Sequence, residues 1–159
     1  MKCLTIALAM CAVLLLCCNC SVFNKLNMAQ NVYDAATSVS YTTLDNYFVR
    51  NDVNHNKRKD LILTNKADFE GFFGMAATMG GLPTDINWNK QYVVAVVLPE
   101  TNRMTTVTPI DVRQDGNKVV FCYKVDRGEK TTYTMMPFTA VVLDKPTNSQ
   151  QMEFFFLEK

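Results

Sequence analysis

Hydrophobic positions fall into three regimes along this chain. From Leu4 to Cys18 they form one run interrupted only by Thr5, entered through Met1-Lys2 and left through Asn19-Cys20-Ser21. From Ser21 to Ser40 no steady period holds, and small and polar residues dominate. From Tyr41 onward, short β-type runs alternate with polar turns, interrupted once by a helical stripe.

The stripe is Phe69, Phe72, Phe73, Ala76 and Met79, at i, i+3, i+4, i+7 and i+10. Asn65 is an N-cap residue, Asp68 lies where the helix dipole favours an acid, and Gly80-Gly81-Leu82-Pro83 is a stop. This spacing predicts a helix over Asn65–Met79 with its aromatic face docked on a sheet.

The strand patterns are Thr43–Arg50, Asp60–Leu63, Tyr92–Leu98, Thr105–Arg113, Lys118–Val125, Thr131–Met136, Phe138–Leu143 and Met152–Leu157. Tyr92–Leu98 is apolar at every position, as a central strand covered on both faces would be. Lys118–Val125 reads as one-sided, with Val119, Phe121, Tyr123 and Val125 facing in and Lys118 and Lys124 facing out. Asp115-Gly116 and Arg127-Gly128 are hairpin-turn dipeptides. The predicted fold is α+β: a mostly antiparallel sheet or partly open barrel of about seven strands, with one main helix packed on it.

The N-terminal run changes the picture most. A basic start, about 15 apolar residues and a small-residue exit describe an export signal, shorter than the roughly 20 residues of a membrane span. The expected organisation is a signal over residues 1–20, a tether over 21–40 that allows a short helix around Met28–Ala36, and a single domain over 41–159. Leu15-Leu16-Cys17-Cys18 has the shape of a bacterial lipobox, which makes Cys18 the expected lipidation site, with Cys20 the second candidate. Several acyl chains at one cysteine are enough for stable anchoring. Ordinary cleavage after Cys20, releasing a soluble protein, is the alternative.

Removing Lys2 with the signal leaves 15 basic against 15 acidic residues. Such balance argues against nucleic acid, which requires a cationic field. Beyond the signal only Cys122 remains, so neither an intramolecular disulfide nor a zinc site is expected. The one histidine, His55, lies in a polar loop beside Lys57-Arg58-Lys59, a run expected to be a solvated tip. With no partner at ligand spacing, His55 makes a poor metal site. The aspartates fall at or near turns, where aspartate caps the backbone. No nucleophile–base pair assembles, so no catalytic residue, metal or cofactor is expected.

The order of elements nevertheless points to a family. Strand Leu61–Thr64, the helix from Asn65, Asp85–Lys90 with its aromatic Trp88, strand Tyr92–Leu98, a hairpin, and Thr134-Met135-Met136-Pro137-Phe138 resemble the C-terminal domain of the PrcB family. That family comprises bacterial envelope lipoproteins associated with a surface protease complex. The resemblance spans roughly Leu61–Lys159. Where the family has a Thr-Gly-Gly-Tyr-like loop after the long strand, this chain has Pro99–Met104, which keeps only the threonine. Asn87 stands where the family tends to have an acid.

The resemblance implies a non-catalytic envelope lipoprotein that binds another protein, an extracytoplasmic protease or its complex being the partner class. The contact surface expected on that reading is the loop Thr101, Asn102, Arg103 and Met104, with Pro137 and Phe138 beside it. The alternative is a small-ligand or glycan-binding envelope module, with Trp88, Tyr92, Tyr123 and Tyr133 as stacking surfaces.

Overall fold

The fold is taken from a computed structural model that describes residues 24–53, 56–76, 81–146 and 151–159. The export signal with Cys18 and Cys20, the loop histidine His55, and the helix-stop glycine Gly80 lie outside these residues. Among the described residues no helix is long and apolar enough to cross a membrane.

In chain order the elements are α1 (24–35), β1 (Thr37–Ser38), β2 (Thr42–Thr43), β3 (Tyr47–Val49), β4 (Lys59–Leu63), α2 (Lys66–Phe72), β5 (Phe73–Met75), β6 (Gln91–Val97), β7 (Thr101–Asp115), β8 (Lys118–Met135), β9 (Phe138–Asp144) and β10 (Glu153–Glu158). Two four-stranded sheets result, β1-β7-β8-β10 and β2-β9-β6-β4, with β3 and β5 forming a small third pair. All pairings are antiparallel except β8 with β10. The α+β, antiparallel-rich architecture expected from the sequence is what forms, and the sheets do not close into a barrel.

Both faces of β6 are apolar, as its pattern required. Tyr92, Val94, Val96 and Leu98 meet Val107, Val112, Val119, Phe121 and Tyr123 of the other sheet. Val93, Ala95 and Val97 on the opposite face meet Phe69, Phe73, Leu63 and Val49. The segment 98–100 then carries the chain from β6 into β7, while Met136-Pro137 carries β8 into β9. The two crossings lie side by side: Thr101 pairs with Met135, Val97 pairs with Phe138, and Leu98 N–H donates to Pro137 O at 2.8 Å. The four strands are therefore one long hairpin bent at a corner, and the bend brings its halves face to face. Its tip is the expected turn at Asp115-Gly116, where Gly116 has φ +56°.

Four expectations are corrected. First, the predicted helix stops at Phe72. Asn65 does cap it, its Oδ1 accepting from Asp68 N at 2.9 Å. Phe73, however, turns extended and pairs with Val49. Gly71 and Gly74 weaken the helix here. Gly74 also lies under the Phe48 ring, where an added Cβ would come within 2.6 Å of a ring carbon.

Second, the stretch expected as a tether contains α1, and α1 is part of the fold. Ala29, Val32 and the following Ala36 are buried, with Ala29 and Val32 packed on Val120, Cys122, Phe155 and Leu157. Third, β8 is accordingly not one-sided, because Val120 and Cys122 face α1 while Val119, Phe121 and Tyr123 face the other sheet. The Tyr33 ring anchors the helix, with the Arg113 guanidinium 4.2 Å and the Lys159 ammonium 4.9 Å from its centroid.

Fourth, Arg127-Gly128 is no turn but lies inside β8. Arg58, in the run expected to be a solvated tip, is exposed but ordered: it holds Asp60 through two hydrogen bonds (2.7 and 3.1 Å) and sits 5.5 Å from the Tyr123 ring centroid.

Burial under α1 pushes the Cys122 thiol above its ordinary titration range. In the native protein Cys122 should be inert toward a thiol reagent. Replacing Ala29 by glutamate, which would force a charge into this seam, should make it react. Ready modification of the unaltered native protein would show that α1 does not cover the sheet.

Candidate functional site

The expected contact surface does not assemble as one patch. Thr101–Met104 is strand rather than loop, the start of β7 paired with the far end of β8. Pro137 is buried at the corner. Phe138 packs into the core on the other side of its sheet, 5.2 Å from Phe73 between ring centroids. Exposure is left to Asn102, Arg103 and Met104.

Sequence reasoning missed what stands opposite them. Thr101 to Thr105 on β7 face Arg127 to Met135 on β8, so β8 carries four additional residues and the ladder is bulged. Side-chain bonds fasten the bulge. Thr131 Oγ1 donates within this bulge, lying 3.1 Å from Asn102 O and 2.6 Å from Tyr133 O, and Thr134 Oγ1 donates to Glu100 Oε1 at 2.6 Å. Arg103 Nη1 donates to Gly128 O at 3.2 Å. The outcome is an ordered ribbon end carrying two exposed large apolar side chains, Met104 (53 % exposed) and Tyr133 (55 %). The sequence signal was the threonine-rich run Thr131-Thr132-Tyr133-Thr134, which read only as a strand.

The proposed stacking residues also separate. Tyr92 and Tyr123 are buried between the sheets and offer no face to a ligand. Trp88 instead borders a groove of 510 Å³ between α2, the β3–β5 pair and the segment leading into β6. Tyr47, Phe69 and Trp88 form its aromatic side, with Phe69 central: 5.1 Å edge-on to Tyr47 and 5.3 Å from Trp88 between centroids. Arg50, Lys66, Glu70 and Asp85 stand around it.

The backbone holds this groove open. Thr84 Oγ1 donates to Thr43 O (3.1 Å) and accepts from Asp45 N (2.9 Å), fastening the Asp85 side. Lys145 Nζ donates to Trp88 O (2.6 Å) and Thr64 O (3.2 Å), fastening the other. The Tyr47 hydroxyl donates to Thr84 O at 3.0 Å, and its pKa is raised by burial and by the nearby Asp85 and Glu70 charges.

Among the described residues no group of three or more His, Cys, Asp and Glu side chains gathers to hold a metal ion. Compared with protein-family models, with curated proteins and with solved structures, the chain matches none.

The two tyrosines between the sheets generate a pH prediction. Burial pushes Tyr92 and Tyr123 each up to about 12, and the Tyr123 hydroxyl has no hydrogen-bond partner among the described residues. In the unfolded chain both titrate near 10. Because folding raises these pKa values, their contribution is complete below pH 10 and is lost as the pH climbs toward about 12. Denaturant unfolding at about pH 11 should show roughly 1 kcal/mol less stability per tyrosine than at about pH 8, and Tyr123→Phe should remove its share. Equal losses in Tyr123→Phe and the parent would exclude Tyr123 as a source.

Proposed function

We propose that this protein is a non-catalytic, exported envelope lipoprotein that binds another protein through the bulged end of the β7–β8 ribbon. The observation that carries the reading is Met104 and Tyr133 standing exposed on an ordered ribbon, next to Arg103. Arginine, methionine and tyrosine are the types enriched at protein interfaces, for a planar donor fork, adaptable packing and a rigid amphipathic ring. The hydroxyl bonds that fix the bulge lower the entropy lost on docking, since this segment is ordered before it meets a partner. The resemblance to the PrcB family makes an extracytoplasmic protease, or its complex, the partner class to test first. The lipobox at Leu15–Cys18 supplies the anchor in this reading, with the domain held at a membrane surface.

The double replacement Met104→Ala/Tyr133→Ala should change unfolding free energy by less than about 0.5 kcal/mol per site, as exposed positions do. It should also sharply reduce crosslinking of the protein to its neighbour in native envelopes. Undiminished crosslinking by a normally folded variant would move the contact surface off the ribbon.

The anchor has its own test. Cys18→Ser should abolish palmitate incorporation and release the protein from membranes. Incorporation lost only in Cys20→Ser would shift the anchor to Cys20, and incorporation in neither parent nor variants would remove the lipoprotein reading.

A further inference from the structure

The groove beside Trp88 is separate from the ribbon, and its charges are unevenly answered. Arg50 is held by Asp52 through two hydrogen bonds of 2.8 and 3.0 Å. Lys66 lies 3.6 Å from Glu70. Asp85 is left over: among the described residues its carboxylate makes no ion pair and no hydrogen bond, yet it stands exposed on the groove wall next to Tyr47. The two cations of the rim are thus neutralised and one anion is not.

The aromatic side of the groove has a matching preference. Aromatic faces carry negative quadrupole potential and attract cations, most strongly tryptophan, and an ammonium without acidic hydrogens is the least costly cation to strip of water. Tyr47, Phe69 and Trp88 converge on one space; Lys145 holds the Trp88 carbonyl, and the Tyr47 hydroxyl is held by Thr84 O. A sugar, by contrast, would look for hydroxyl partners, and the Tyr47 hydroxyl is already committed to Thr84 O. A free anion would meet Asp85 with both nearby cations engaged.

We propose that this groove binds an alkylammonium group, seated against the Trp88 and Tyr47 rings with Asp85 as counter-ion. Lacking acidic hydrogens, a quaternary ammonium headgroup is the occupant this argument favours over the lysine side chain of a peptide. The site does not depend on the ribbon or on the partner proposed there.

Trp88 is the single tryptophan of the chain, so its fluorescence reports on this groove alone. Titrating the purified protein with choline or with N-acetyl-lysine amide should shift or quench that emission saturably in the millimolar range. The neutral carbon isostere of choline should have little effect. A lower half-saturation for choline than for the lysine amide supports the headgroup, and the reverse order overturns it in favour of a peptide. Asp85→Asn should raise the half-saturation about tenfold, as loss of a charge-assisted contact does, while Asp85→Glu should retain binding. Thermal unfolding of both variants should match the parent, and should Asp85→Asn unfold, raised salt applied to the parent replaces it as the test of charge. The proposal is overturned by no saturable response to either cation, by an equal response to the neutral isostere, or by unaltered affinity in folded Asp85→Asn.

Discussion

Everything in this fold follows from β6 having no polar face. A strand with one solvated face needs a single cover, but Tyr92–Leu98 offers apolar side chains in both directions. The inward set is covered when the long hairpin bends and lays β7 and β8 across β6 and β9. The outward set is covered by α2, the β3–β5 pair and the segment bearing Ile86 and Trp88. That second cover is what creates the aromatic groove, because the pieces meet around Phe69 without filling the space between Tyr47 and Trp88.

The same requirement passes on to β8. With Phe121 and Tyr123 turned toward β6, Val120 and Cys122 are left on the far side of their sheet, where only α1 can exclude water from them. The molecule is therefore four layers with three apolar seams: helix, sheet, sheet, and a mixed outer layer. Each seam is the consequence of the one before it.

The bend has its own local cost. Where two strands leave one sheet for another, ladder bonds fail, and unpaired backbone groups are expensive unless something answers them. Thr131 Oγ1 and Arg103 Nη1 answer carbonyls here, at Asn102, Tyr133 and Gly128. The ribbon end fastened in this way leaves Met104 and Tyr133 exposed. The exposed ribbon and the corner are one structural event, which is why the proposed contact surface sits where the sheets change over.

Much of the fold was written locally. The period-two and unbroken runs identified β4, β6 and β9, the Asp115-Gly116 turn set the hairpin tip, and Asn65 marked the start of α2, because each depends on residues within a few positions. The end of α2 was not legible: the stripe continued to Met79, but pairing of Phe73–Met75 with β3 won over propensity weakened by two glycines. Of α1 only a short stretch around Met28–Ala36 was legible, because its buried stripe is Ala29 and Val32 with Ala36 just beyond, small side chains that allow close approach and leave little hydrophobic signal. Of the candidate sites, the sequence marked Met104 and Trp88 as residues of interest. It could not place Tyr133 on the same ribbon end as the first, or bring Tyr47, Phe69 and Asp85 beside the second. Those meetings are set by register across a bulged ladder and by packing of segments tens of residues apart, and no local pattern encodes either.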